Sequence, residues 1–154
     1  MVVRRNNNAC LEAELERARQ RVFGPSLEKK DVRALMRALR QGELVVTSGD
    51  QDFSYNNAFV PFFAVPAATL LGSADLAQRG HARVFLSWPR RESDGSYTLQ
   101  LEPAWPDWAD ADPAHAAAVY MAALESKVRQ APEQYLWVHR RFKTRPPGEP
   151  PLYA

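Results

Sequence analysis

The chain has 154 residues, a formal net charge of +2 at pH 7 and 45% apolar residues, which is typical of one soluble globular domain able to bury a core. The single cysteine, Cys10, excludes an internal disulfide and a cysteine-rich zinc site. No apolar run approaches the roughly 18 residues needed to span a bilayer, and we expect no signal peptide in the opening residues.

The first third of the chain predicts two helices and a strand. Residues 11–20 place leucine and alanine on one helical face. A second helix is predicted over 31–42, where Asp31 can cap the N-terminus, apolar residues recur at helical spacing, and Gly42 stands at the C-terminal end. The apolar run over 43–49 predicts a short buried strand that ends in a glycine.

The remainder predicts two further helices and a pair of strands. Residues 56–69 combine phenylalanines with two prolines, which we interpret as an apolar loop over the core or, alternatively, as an apolar wall for a greasy ligand. The other predicted elements are a helix over 66–80, paired strands over 82–88 and 96–103 joined by a turn at Asp94–Gly95, and a helix from Asp112–Pro113 to about Gln130. This alternation of helices and strands indicates an α/β fold with helices packed on a sheet.

Spacing alone identifies no catalytic residue. The three histidines are His81, His115 and His139, and none is followed five residues later by an acid, because those positions hold Leu86, Tyr120 and Thr144. No glycine-rich phosphate loop and no Gly-x-Ser-x-Gly elbow occurs. The sequence therefore predicts neither a cofactor site nor a metal site.

Two features favour binding chemistry. Asp50 and Asp52 directly follow a predicted strand, and loops at that position line the ligand crevice of open α/β sheets. Paired carboxylates there can hold a hydroxyl or pair with an arginine, although a solvated turn is the alternative. Arginines also cluster near the end of the first predicted helix, after the second predicted strand, and beyond the last predicted helix. Such clusters suit phosphates and carboxylates, or else form solvated faces.

The chain resembles the bacterial lipid A late acyltransferases, the lauroyl/myristoyl acyltransferase family. The long closing motif PEQYLWVHRRFKTRPPGEPPLY (132–153) is the most specific part of this likeness. DQDF (50–53), FVPFFAVPAAT (59–69), ARVFLSWPRRESDGSYTLQLEP (82–103) and VVRRNNN (2–8) resemble other segments of the family. The resemblance covers essentially the whole chain.

The resemblance implies a partial glycerolipid-acyltransferase-like fold that lacks its N-terminal part. It implies transfer of a fatty acyl chain from acyl carrier protein to a hydroxyacyl group of a Kdo-bearing lipid A precursor. This would occur at the cytoplasmic face of the inner membrane, without a cofactor and without nucleic acid. By motif it assigns substrate binding to Arg19, Arg21, Asp50, Asp52, Arg90, Arg140 and Arg141, and an acyl groove to Phe59, Phe62 and Phe63.

The main departure from the family is its catalytic motif. Members use His-x-x-x-x-Asp/Glu, in which the histidine deprotonates the acceptor hydroxyl, and this motif lies upstream of the segment that resembles VVRRNNN. We therefore expect residues 1–154 to be the C-terminal portion of a single acyltransferase domain: a fragment, a split or late-start reading frame, or a diverged relative. We expect it to be inactive alone and prone to self-association through exposed apolar surface.

Two other functions remain open from the sequence. The first is a non-catalytic module that binds anionic lipid or a membrane surface through the closing cations. The second is a nucleic-acid binder that stacks bases on Tyr135, Trp137 and Phe142. The small net charge disfavours this second function.

Overall fold

The computed structural model describes residues 2–104 and 111–153, which form two compact units. The first unit comprises residues 1–48 and 79–82, and the second comprises 49–78 and 83–154. Within the described residues, four α-helices accompany strands that are distributed over three two-stranded sheets. The predicted mixed α/β class is confirmed.

The first unit contains a short parallel strand pair and two helices. Strand β1 (Val2–Val3) pairs with β2 (Leu27–Glu28), and the helices are α1 (Ala9–Phe23) and α2 (Val32–Arg40). Both predicted helices are confirmed, and α1 extends further in both directions than predicted. The Asp31 carboxylate accepts a hydrogen bond from the Ala34 N–H at 2.9 Å, which is the predicted N-terminal cap of α2.

The strand predicted over residues 43–49 is wrong. These residues have no regular secondary structure, and Leu44 is 85% exposed instead of buried. Within the described part of the chain, the bond of this segment to a strand runs from the Val2 N–H to the Val46 carbonyl at 3.0 Å, and the Glu43 N–H donates instead to the Ala38 carbonyl at the end of α2. One bond does not make a ladder, so apolar composition alone does not produce a strand here.

The segment interpreted as a loop is instead a β-hairpin in the second unit. Strand β3 (Asn57–Phe62) pairs antiparallel with β4 (Val65–Leu70). The two turn residues between them, Phe63 and Ala64, have positive φ angles of 50° and 62°. Two left-handed turn residues match the twist of a tight hairpin. Pro61 lies opposite Pro66, at the position between hydrogen-bonded pairs, so neither proline removes a ladder bond.

Because β4 takes residues 65–70, the following helix begins later than predicted. Helix α3 spans Gly72–Gly80. Strands β5 (Phe85–Arg91) and β6 (Tyr97–Pro103) then pair antiparallel around the predicted Asp94–Gly95 turn, which confirms the strand pair, although β5 begins three residues late. One face of this pair is apolar and open to solvent, and its exposed members are Phe85, Tyr97, Leu99 and Leu101.

The core of the second unit lies between α4 and the β3–β4 hairpin. Helix α4 spans Pro113–Gln130 and begins as predicted, because the Asp112 side chain accepts from the His115 N–H at 3.2 Å and Pro113 occupies the first turn. Its buried residues include Met121 and Leu124, which pack with Val60, Phe62 and Ala67 of the hairpin. No helix in the described part of the chain is both long and apolar enough to cross a membrane.

Candidate functional site

The Asp50–Asp52 loop is held by the closing segment, which we define as residues 135–145. Thr144 donates twice to the Asp52 carboxylate, from its N–H at 3.1 Å and from its hydroxyl at 2.8 Å. The Asp52 N–H in turn donates to Nε2 of His139 at 2.9 Å. Asp52 is thus fixed by residues about 90 positions away, and the DQDF and closing motifs meet in space.

This arrangement also defines the role of His139. Its Nε2 atom accepts the hydrogen bond from the Asp52 backbone. The Nε2 lone pair is therefore occupied by the backbone. His139 serves as a structural contact here and is not poised to act as a general base.

Asp50 differs from Asp52, because no hydrogen bond or ion pair to its carboxylate is found among residues 2–104 and 111–153. Its charge acts on two phenols, Tyr120 and Tyr135. Burial, and next the Asp50 charge, raise the pKa of Tyr135 to about 12, and the same two causes raise the pKa of Tyr120 well above its usual value. Both phenols stay protonated at neutral pH, and the Asp50 carboxylate is available to accept from a hydroxyl.

Gly49 lets this loop lie against the Tyr120 ring. A Cβ atom at Gly49 would stand 3.2 Å from Cε1 of Tyr120, which is tighter than ordinary packing. The ring itself stacks on Trp88, with centroids 6.2 Å apart and planes 11° from parallel. Helix α4 and strand β5 therefore position the loop that carries Asp50.

Arg141 is the buried centre of the closing segment. It is 2% exposed, and its guanidinium donates from Nη1 to the Ala68 carbonyl at 2.8 Å and from Nη2 to the Thr69 hydroxyl at 2.6 Å. Its Nε has no hydrogen-bond partner among the described residues. Burial lowers the pKa of Arg141, and the nearby Tyr135, Asp52 and Asp50 partly oppose that effect. Arg141 thus ties the closing segment to β4 and supplies a cation near both aspartates.

The aromatic half of the closing segment packs on the hairpin. Tyr135 and Phe142 lie 5.7 and 6.0 Å from Phe62 between ring centroids, and Trp137 lies 5.8 Å from Phe63. These contacts explain why the segment folds back although residues 135–153 contain no helix or strand.

The three predicted acyl-groove residues occupy different environments. Phe62 is fully buried in the core, Phe63 is half-buried under the Arg129 guanidinium at 4.7 Å, and Phe59 is exposed. A ligand could therefore contact the accessible surface of Phe59 and Phe63, whereas Phe62 belongs to the core beneath the hairpin.

The other predicted arginines make separate contacts. Arg19 belongs to the first unit, where it pairs with Glu12 at 3.1 Å, and Arg21 is exposed near the end of the same helix. Arg90 forms a two-pronged pair with Glu92 at 3.1 and 3.0 Å. The Arg140 guanidinium lies 5.7 Å from the centre of the Tyr153 ring. Of the predicted site residues, the structure brings together Asp50, Asp52 and Arg141.

Sequence reasoning missed two residues of this site, Thr144 and Tyr120. Both stand five residues after a histidine, at positions where an acid would complete the His-x-x-x-x-Asp/Glu spacing. The signal for Thr144 is its place inside the closing motif, but nothing in the spacing points to Asp52. Among the described residues, no group of three or more potential metal ligands occurs.

The chain that builds this site matches one protein family over most of its length. The family profile described as bacterial lipid A biosynthesis acyltransferase matches residues 1–144. The chain is 38% identical over 157 residues to the Lipid A biosynthesis lauroyltransferase of Escherichia coli, with 99% of this chain and 51% of that protein covered. It is 37% identical to the Lipid A biosynthesis palmitoleoyltransferase of the same organism, over 97% of this chain and 50% of that protein.

A Lipid A biosynthesis acyltransferase of Haemophilus influenzae is also 37% identical, over 97% of this chain and 50% of its own length. The chain belongs to the bacterial lipid A biosynthesis acyltransferase family. It spans about half the length of the curated relatives that it matches.

Proposed function

We propose that the chain serves acyl transfer in lipid A assembly, moving a fatty acyl chain from acyl carrier protein to a hydroxyacyl group of a Kdo-bearing lipid A precursor. The reaction would take place at the cytoplasmic face of the inner membrane. In this proposal, residues 1–154 are the C-terminal portion of a single acyltransferase domain. Support comes from the family match over residues 1–144 and from the names of the relatives.

The observation that carries the proposed site is the difference between the two aspartates. Asp52 is committed to Thr144 and His139, whereas the Asp50 carboxylate is unpaired among the described residues. We assign Asp50 to the substrate, where it accepts from a hydroxyl or amide, and Asp52 to positioning of the loop. An ionised acceptor makes a stronger hydrogen bond than a neutral one, so this contact is suited to orienting a polar headgroup.

The remaining predicted residues fit supporting roles in the same proposal. Arg19, Arg21, Arg90 and Arg140 would face phosphate or sugar-acid groups of the precursor, because guanidinium forks match such anions. Phe59 and Phe63 would contact an acyl chain, with Phe62 behind them. Arg141 acts from within the fold, because its buried guanidinium is engaged by β4.

We propose that the general base of this reaction lies outside residues 1–154. None of the three histidines has an acid five residues later, and His139 already accepts a backbone hydrogen bond. General-base catalysis is typically worth about 10²–10⁴-fold in rate. Residues 1–154 alone should therefore transfer no acyl group at a meaningful rate.

A chimera tests this function directly. The matching half of the E. coli lauroyltransferase would be replaced by residues 1–154, and transfer from lauroyl-acyl carrier protein to the Kdo-bearing precursor would be measured. We expect transfer by the chimera and none by either half alone. A folded chimera that does not acylate the precursor would contradict the proposed function. Transfer by residues 1–154 alone, abolished by Asp50→Ala, would contradict the placement of the base.

A further inference from the structure

Helix α2 carries an unusual row of cations on its open face. Arg33, Arg37 and Arg40 follow one another at spacings of four and three residues, which places all three on one side of a helix. All three are exposed, and within the described parts of the chain no acid pairs with any of them. We call these three residues the arginine row.

The arginine row concentrates positive charge on one face of the helix. Like charges three or four residues apart on a helix repel one another, and no glutamate or aspartate is interleaved with them in α2. Lys29 and Lys30, both exposed, precede the helix and enlarge the basic surface. The adjacent Asp31 does not neutralise it directly, because its carboxylate caps the helix through the Ala34 N–H.

Apolar surface flanks the row. The three arginines share one shallow depression with Val32 and Met36, and Val32 is 53% exposed. The opposite side of α2 is occupied by the buried Leu35 and Ala38, so the helix cannot turn this basic face inward. Guanidinium groups that project beyond exposed alkyl groups suit contact with anionic lipid headgroups.

The closing cations are less available than their sequence indicates. Arg141 is buried, and Arg145 is engaged by Glu149 and by the Pro66 carbonyl. His139 accepts the Asp52 N–H, and Arg140 lies over Tyr153. A membrane contact made by the closing segment would therefore rely on the exposed Arg140 and Lys143, whereas all three cations of the arginine row are available.

We propose that the arginine row of α2 docks the chain on an anionic phospholipid surface. This contact goes beyond acyl transfer, because it requires no catalytic group and no lipid A precursor. Exposed Lys and Arg side chains near an anionic leaflet each strengthen binding by roughly a factor of five, so three together account for an affinity difference on the order of 100-fold. The exposed Val32 favours a lipid surface over an acidic protein.

Flotation of the full chain with vesicles tests the proposal. The experiment compares phosphatidylcholine vesicles with vesicles that also contain phosphatidylglycerol. The phosphatidylglycerol content would be roughly 30 mol%, as in a strongly charged leaflet. The triple variant Arg33→Gln/Arg37→Gln/Arg40→Gln removes the row. The matched control Arg83→Gln/Arg91→Gln/Lys143→Gln removes three other exposed cations, so both variants carry the same net charge. A third variant, Arg33→Lys/Arg37→Lys/Arg40→Lys, keeps the charge and changes the side-chain shape.

We expect the wild type to bind anionic vesicles and to be released at about 1 M salt, where screening acts within about 3 Å. The glutamine row variant should bind on the order of 100-fold more weakly, whereas the control and the lysine variant should keep most of the binding. Equal losses in the row variant and the control would overturn the proposal, as would binding to neutral vesicles at the same strength. Binding to an acidic carrier protein but not to vesicles would assign the row to a protein partner and overturn it too.

Discussion

The buried Arg141 offers a quantitative test of how the site is held together. Arg141→Ala leaves the Ala68 carbonyl and the Thr69 hydroxyl without their donor, and an unsatisfied buried polar group costs about 1–3 kcal/mol. Loss of the packed aliphatic stem adds to this cost. Removal of a buried cation whose Nε is unpartnered offsets part of it. We expect a net loss of about 3 kcal/mol in the free energy of unfolding.

Urea unfolding followed by tryptophan fluorescence measures this loss, because Trp88 and Trp137 belong to the second unit, as Arg141 does. With a slope of about 2 kcal/mol per molar urea, the midpoint should fall by about 1.5 M. Arg141→Met restores the stem without the charge and should cost about half as much. Lys143→Ala, an exposed neighbour, should change stability by less than about 0.5 kcal/mol. An Arg141→Ala midpoint equal to that of Lys143→Ala would refute the structural role assigned to Arg141.

Two further predictions concern the second unit. The pKa of Tyr135 is raised to about 12 in the folded chain, so its contribution to stability is complete below pH 10, the usual tyrosine pKa, and is lost as the pH rises through about 12. The urea midpoint of the wild type should fall between about pH 9 and 12, and it should fall less in Tyr135→Phe, which has no phenol to ionise. An equal fall in both proteins would show that Tyr135 ionisation is not the cause. On the β5–β6 face, Leu99 and Leu101 are each 60% exposed, and the chain should self-associate through this surface. Leu99→Lys/Leu101→Lys should shift sedimentation velocity profiles toward the monomer, and a monomeric wild type would disprove the expectation.

Local signals in the sequence predicted the helices well. Two aspartates mark helix starts because their side chains can cap the first turn: Asp31, and Asp112 followed by Pro113. The structure contains both caps. Such signals need only three or four neighbouring residues. The strands were harder, because a strand requires a partner. The apolar residues 43–49 have no ladder partner in the described part of the chain, and they stay irregular.

The β3–β4 hairpin was missed for the opposite reason. Two prolines in a short apolar stretch argue against a strand. The register, however, places Pro61 opposite Pro66 in a pair that exchanges no backbone hydrogen bonds, so neither missing N–H weakens the ladder. The turn residues Phe63 and Ala64 are also not the glycine or asparagine that usually mark a two-residue hairpin. Composition alone does not reveal the pairing register, and it is the register that lets both prolines fit without breaking a ladder hydrogen bond.

The candidate site shows the same limit. Asp50 and Asp52 attract attention by their position after an apolar run, yet they differ in role because of a threonine 92 residues away from Asp52. Arg141 is one of several cations in a basic stretch, and its burial follows from the aromatic packing of the closing segment on Phe62. Only the folded chain separates the buried arginine from its exposed neighbours.

The central claim is that Asp50 meets the substrate while Asp52 is fixed by the closing segment. The most direct test is the acyl-transfer rate of the chimera that carries Asp50→Asn, with Asp94→Asn in the exposed β5–β6 turn as the matched control. Loss of a hydrogen bond to a charged acceptor predicts that Asp50→Asn lowers kcat/KM by about 10- to 100-fold, with an unchanged urea midpoint. The control should stay within about twofold of the parent, as expected for an exposed surface position. A chimera that transfers acyl chains equally well with Asp50→Asn would contradict the account.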